Sequence, residues 1–143
     1  MSDDALYTRG SCTALVITCS DFRFKRVERA FAEAAGLSDD YDLIARPGAI
    51  RSLVAPRSAA ARQTMEEEIA LLWRVHGFPR VLMVNHMSCR AYDDLVGGGD
   101  ERAIHAAHLQ MAGPAIEGLC EGARAEAYVA GLVGGVLRVE QIG

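Results

Sequence analysis

Thr13-Ala14-Leu15-Val16-Ile17-Thr18-Cys19-Ser20-Asp21-Phe22-Arg23 is the stretch on which the fold turns. Thr13 to Thr18 is apolar, rich in β-branched side chains and free of charge, and it breaks into Cys-Ser-Asp. That is the pattern of a buried strand delivering its last residues to a loop. A second such run, Arg80 to Asn85 (RVLMVN), delivers His86 and Cys89 to the loop at its own end.

Working outward from these two runs, Phe24, Val27, Phe31 and Ala34 recur at helical spacing over Phe24 to Ala35, and Gly36 supplies the stop. Tyr41 to Ala45 reads as a strand closed by the turn Arg46-Pro47-Gly48. Thr64 with Glu67 three residues on forms a capping-box pattern. It predicts a helix that starts there, holds Glu66-Glu67-Glu68 in its first turn, buries Met65, Ile69, Leu72 and Trp73, and ends near Gly77. His76 then sits at a helix end, where a cation is favourable.

Gly97-Gly98-Gly99 breaks the chain. It lacks the Lys and Ser/Thr of a phosphate loop, so it reads as a turn with Asp100 as cap of a helix reaching about Leu119. In that helix Ile104, Ala107, Met111 and Ile116 point inward, His105 and His108 share a partly exposed face, and Gly113-Pro114 marks an irregularity. Ala125 to Val129 and Val136 to Ile142 close the chain as strands. Strands alternating with helices predict an α/β fold: three layers, with a mainly parallel central sheet flanked by helices, in a single domain over residues 1–143.

Composition bounds the function. The chain has 143 residues, 50% of them apolar, which is enough for a core and excludes disordered and fibrous classes. Its 15 Lys+Arg against 19 Asp+Glu give a net charge of -4 and no basic patch, so nucleic acid is not an expected partner. Charges interrupt every apolar segment before it reaches the roughly 18 residues of a membrane span. Four widely spaced cysteines, Cys12, Cys19, Cys89 and Cys120, with an acidic, polar start, predict a reduced, cytoplasmic protein without a disulfide framework.

In open α/β sheets, ligands bind beyond the carboxyl ends of the strands where strand order reverses. Cys19 ends one strand and His86-x-x-Cys89 follows another. Two thiolates and an imidazole suit zinc, and three protein ligands leave one tetrahedral position open, the catalytic arrangement. Asp21 can either complete the zinc shell or stand off to accept a proton from water on the metal, and Arg23 can pair with it. Each residue alone reads as a small buried hydrophobe or a loop histidine; the paired spacing selects metal. Cys12 and Cys120, without a partner motif, read as core residues. Tyr92 and Asp93 read equally as pocket lining or helix surface.

Cys19-Ser20-Asp21-Phe22-Arg23 and His86-Met87-Ser88-Cys89 resemble the Cys-x-Asp-x-Arg and His-x-x-Cys motifs of the β-class carbonic anhydrases. Between them, a strand leading to Arg46-Pro47-Gly48-Ala49 stands where the family has Arg-Asn-Ala-Gly-Asn, and a helix begins at Thr64-Met65-Glu66. The likeness covers roughly Thr13 to Tyr92, with a weaker echo in Ala127 to Val139. It implies zinc on Cys19, His86 and Cys89, a catalytic dyad of Asp21 and Arg23, and reversible hydration of carbon dioxide to bicarbonate by a zinc-held hydroxide. It also implies a homodimer or higher homo-oligomer.

Two alternatives travel with the resemblance. One is a noncatalytic zinc-binding protein in which Asp21 fills the fourth position or Arg90 closes the pocket. The other is a hydrolase of a related small molecule such as carbonyl sulfide or carbon disulfide. Arg46, Gly48, Arg90 and Tyr92 are the substrate-pocket candidates. Arg90 stands where the family usually has glycine, and about a dozen residues precede the first strand, so dimerisation through a reduced interface is expected.

Overall fold

In the computed structural model, which describes residues 1–143, a short exposed helix capped by Ser2, α1 (Asp3–Tyr7), precedes the first strand, β1 (Ala14–Thr18). All five β1 residues are buried, and alternate ones belong to different cores. Leu15 and Ile17 pack with Ile69, Leu109 and Ile116, whereas Ala14 and Val16 pack with Phe24 and Ala32. The run has no polar side because both its faces are covered.

Asp21 opens a 3₁₀ turn (Phe22–Phe24) that leads into α2 (Lys25–Ala34), and the chain returns as β2 (Tyr41–Ala45). The short α3 (Arg51–Val54) and the long α4 (Ala59–His76) carry it to β3 (Arg80–His86). A second 3₁₀ turn (Arg90–Tyr92), α5 (Asp93–Val96) and α6 (Glu101–Leu119) follow, and the hairpin β4 (Arg124–Val133) and β5 (Val136–Ile142) ends the chain.

The sheet order is β2-β1-β3-β4-β5, with the first four strands parallel and β5 antiparallel to β4. From β1 the chain runs outward to β2, then crosses back to β3 on the other side. Strand order therefore reverses at β1, and a crevice opens beyond the carboxyl ends of β1 and β3. α2 covers one face of the sheet and α4 with α6 the other, which is the three-layer α/β architecture expected from the sequence.

The differences are local. α4 begins at Ala59, not Thr64, because Ser58 Oγ accepts from Ala61 N (3.0 Å) and three alanines, strong helix formers, extend the helix upstream. Glu66, Glu67 and Glu68 consequently lie in mid-helix. The buried stripe of α6 is His105, Leu109, Ala112 and Ile116, while Met111 is 57% exposed; its phase is one residue from the expected one because His105 is buried with its hydrogen bonds satisfied. Pro114 sits inside α6 without ending it. β4 is longer than the Ala125 to Val129 run, and Gly134-Gly135, both at positive φ (58° and 80°), turn it into β5. Cys120 joins the core as expected, whereas Cys12 packs against its edge, half-buried before β1 and beside Asp42 and His76.

Candidate metal centre

β1 and β3 are parallel neighbours in the register Thr18↔Val84, so the residues that leave them emerge side by side. Cys19, His86 and Cys89 meet there, all buried, with one ligand atom of each within 4.8 Å of the others. Ser88, in the left-handed region at φ 57°, turns the loop so that Cys89 comes back under Cys19, Sγ to Sγ 4.0 Å.

The His86 ring stacks on Phe24 of the first 3₁₀ turn, centroids 4.1 Å apart at 28°. Its Nδ1 lies 2.8 Å from the Met87 carbonyl oxygen, which can only accept, so Nδ1 carries the proton and Nε2 the lone pair. That Nε2 is buried with no hydrogen-bond partner. An unpartnered buried acceptor costs free energy unless something fills it. Two thiols and a neutral imidazole nitrogen are a donor set that fits zinc.

The sulfurs are unequal. Although burial opposes, the contact with Cys89 and the hydrogen bond from the Gly48 amide hold the Cys19 thiol well below the ordinary thiol range. Cys89 is pushed up by the same contact and by burial, so one negative charge resides mainly on Cys19. Gly48 N–H points at Cys19 Sγ at 3.4 Å. Only glycine serves at that position: its φ is 79°, and a Cβ would sit 3.1 Å from Arg51 Cβ.

Asp21 and Arg23 form a forked pair. Arg23 Nε lies 3.1 Å from both carboxylate oxygens and Nη2 lies 2.6 Å from Oδ2, while Arg23 N donates to Oδ1 at 2.9 Å. These bonds hold the Asp21 carboxyl down at about 2. Arg23 Nη2 also donates to the Ser88 carbonyl (2.8 Å), so one guanidinium joins the two motifs. Asp21 Oδ2 stands 3.7 Å from His86 Nε2, and both Asp21 and Arg23 line the open cleft that reaches Cys19 and Cys89.

Behind the loop is a network the sequence reading missed. Glu101 accepts from Ser88 N (2.9 Å) and Cys89 N (3.0 Å), and His105 Nε2 donates to it at 3.1 Å. Burial works against the Glu101 charge, yet these donors hold its carboxyl below the usual range. Asn85 Nδ2 lies 3.0 Å from His105 Nδ1 and donates to Tyr92 Oη at 3.2 Å. The i,i+4 spacing of Glu101 and His105 was the one available signal. Arg51, also missed, buries its guanidinium against the Ala91 carbonyl (2.6 Å) and Asp94 (2.6 and 2.8 Å), tethering the segment after Cys89 to α3.

Of the pocket candidates, Arg90 lines the cleft, but its side chain is 87% exposed and turned toward Asp93 (2.7 Å). Arg46 does not reach the cleft; its guanidinium pairs with Glu68 of α4, and only its backbone serves the site, accepting from Ser20 N at 3.2 Å. Tyr92 is neither pocket lining nor helix surface. It is fully buried because its hydroxyl finds Asn85 and His108 (2.9 Å) inside the protein. Gly48 lies behind Cys19, as an amide donor.

Residues 9–138 match the family described as "Putative carbonic anhydrase". An uncharacterized protein of Rickettsia conorii is 28% identical over 148 residues, an alignment covering 99% of this chain and 80% of that protein. Among solved structures, the apo form of a carbon disulfide hydrolase superposes with a TM-score of 0.59 at 14% identity, covering 90% of this chain and 78% of that one. A tetrameric β-carbonic anhydrase of the filamentous ascomycete Sordaria macrospora gives 0.56 at 17% identity, covering 98% and 85%. At these identities the two structures share a fold with this chain.

Proposed function

The chain belongs to a carbonic anhydrase family, and from that premise we propose that it reversibly hydrates carbon dioxide to bicarbonate. In this reading Cys19, His86 and Cys89 hold a zinc ion, and Asp21 with Arg23 positions the reacting water. The observation that carries it is the buried, unpartnered Nε2 of His86 beside two thiols 4.0 Å apart.

The ion, when bound, supplies Lewis acidity toward water. The protein does the rest. The His86 Nδ1 bond to Met87 and the stack on Phe24 fix the imidazole so that Nε2 presents its lone pair. Asp21, ionised down to about pH 2, is too weak a base to take a proton at neutral pH, so its role is to accept a hydrogen bond from the attacking water and aim it. Arg23 anchors that carboxylate to the Ser88 carbonyl and so keeps it in register with the metal-holding loop. Carbon dioxide and water give bicarbonate and a proton, and the proton leaves through the open cleft past Asp21 and Arg90. Arg23 and Arg90 at that cleft favour the anionic product electrostatically.

The test is metal analysis of protein purified without added zinc, together with stopped-flow carbon dioxide hydration. One zinc at the Cys19 site with hydration activity supports the proposal, whereas folded protein that takes up no zinc and shows no activity overturns it. Carbonyl sulfide and carbon disulfide, linear like carbon dioxide, belong in the same assay with sulfide release as the readout. Zinc at that site without turnover of any of the three would establish a noncatalytic binder instead. Assembly as a homodimer or larger homo-oligomer and a cytoplasmic location belong to the same proposal; sedimentation of the purified protein tests the first. No helix is long and apolar enough to cross a membrane.

A further inference from the structure

At the opposite end of the sheet from Cys19, three metal-capable side chains converge. Cys12 lies two residues before β1, Asp42 is the second residue of β2, and His76 is the last residue of α4. One ligand atom of each lies within 4.8 Å of the others. The seven residues from Cys12 to Cys19 span most of β1, so on the order of 20 Å separates the two groups. The backbone fixes the arrangement: Cys12 N donates to the His76 carbonyl at 3.4 Å, and β2 is locked beside β1 by the pairing Leu15↔Asp42.

From this geometry we infer that Cys12, Asp42 and His76 form a second divalent-cation site, chemically suited to zinc, with water completing the shell. A thiol, a carboxylate and an imidazole are zinc's usual donors, and the site opens to solvent through a shallow cleft.

Three observations favour a cation over the alternatives. His76 Nδ1 and Asp42 Oδ2 lie 2.6 Å apart with side chains 38% and 20% exposed, so both can be reached from solvent. Arg9, the one guanidinium lining the cleft, is bound to Asp40 at 2.7 Å and does not neutralise Asp42. The Cys12 thiol has only a backbone acceptor, Ala14 O at 3.4 Å, and its pKa is raised by burial and by the Asp42 charge. That raised pKa argues against an activated cysteine nucleophile, which needs a stabilised thiolate. A divalent cation supplies positive charge beside the Asp42 carboxylate: it displaces the Cys12 thiol proton to solvent and takes one ring lone pair of His76, whose single proton then sits on the other ring nitrogen, leaving thiolate, neutral imidazole and carboxylate around it. Bound there, it would tie the segment before β1 to β2 and to the end of α4.

The experiment counts zinc by equilibrium dialysis against zinc alone, in the full chain and in Cys12→Ser, His76→Ala and Cys89→Ser variants. The expected result is two zinc ions in the parent chain and one in each variant. His76 is half-exposed, so His76→Ala keeps the test interpretable should Cys12→Ser fail to fold. Cobalt in place of zinc should give thiolate-to-metal absorption in Cys89→Ser that vanishes on adding His76→Ala. An unchanged zinc count in both His76→Ala and Cys12→Ser overturns the inference. The two sites fail separately: a parent chain with one zinc, lost in His76→Ala and kept in Cys89→Ser, would remove the Cys19 site and retain this one.

Discussion

A single neighbour, Arg23, sets the acidity of Asp21, and the sign of the consequence can be worked out. The folded carboxyl sits at about 2 against an ordinary 3.8, so its contribution to stability is complete above pH 3.8 and is lost as pH falls toward 2. Acid unfolding of the parent chain should therefore show a stability loss in that window which Asp21→Asn lacks; identical acid limbs would contradict the assignment. Asp21→Ala should keep zinc while losing on the order of 10²-fold in hydration rate, whereas Cys89→Ser should lose the metal at the Cys19 site. Full activity in Asp21→Ala would remove Asp21 from the mechanism. Cys19, His86 and Cys89 were legible in the sequence because each lies within a few residues of a strand end, where spacing alone places it. Glu101 was not, since it serves the loop through the amides of Ser88 and Cys89, and backbone partners leave no residue pattern.

At the level of elements, the loop from His86 to Cys89 is held between α6 and β4. Glu101→Ala would leave two amides without their acceptor and let the loop move. Zinc affinity is expected to fall about 10- to 100-fold, measured by chelator competition, with the fold retained. On the other side, Met87 packs on Gly131 so closely that an added Cβ would meet Met87 Cγ at 2.8 Å. Gly131→Ala should cost about 1–3 kcal/mol in thermal or denaturant unfolding, and a neutral result would mean that the loop yields freely. Helix phase was the weak point of the sequence reading. Hydrophobic periodicity put Met111 inside α6, whereas the side chain that goes inside at that face is a histidine made acceptable by Glu101 and Asn85. A buried polar residue with satisfied bonds is invisible to a count of apolar positions. Likewise Thr64 looked like a cap because the earlier Ser58 is followed by alanines that carry no stripe.

Across the whole molecule, β1 and β3 each contribute side chains to the cores on both faces of the sheet, so neither core can come apart without the other. Calorimetry should accordingly give one cooperative transition, as expected of a single domain; two resolved transitions would argue for separable units. The alternation of strands and helices predicted the mainly parallel sheet. The antiparallel direction of β5 was written only in Gly134-Gly135, a hairpin signal too short to outweigh the pattern before it.

Cys19 and Cys89 stand 70 positions apart along the chain, yet their sulfurs lie 4.0 Å apart. An ion gripping both ties the polypeptide into a ring of that contour length. A tie of this kind that persisted in the unfolded chain would remove loop-closure entropy worth on the order of 4 kcal/mol at room temperature. Stripping the ion would then lengthen the tether available to a denatured chain, and the entropy so released works against refolding even with every core side chain in place.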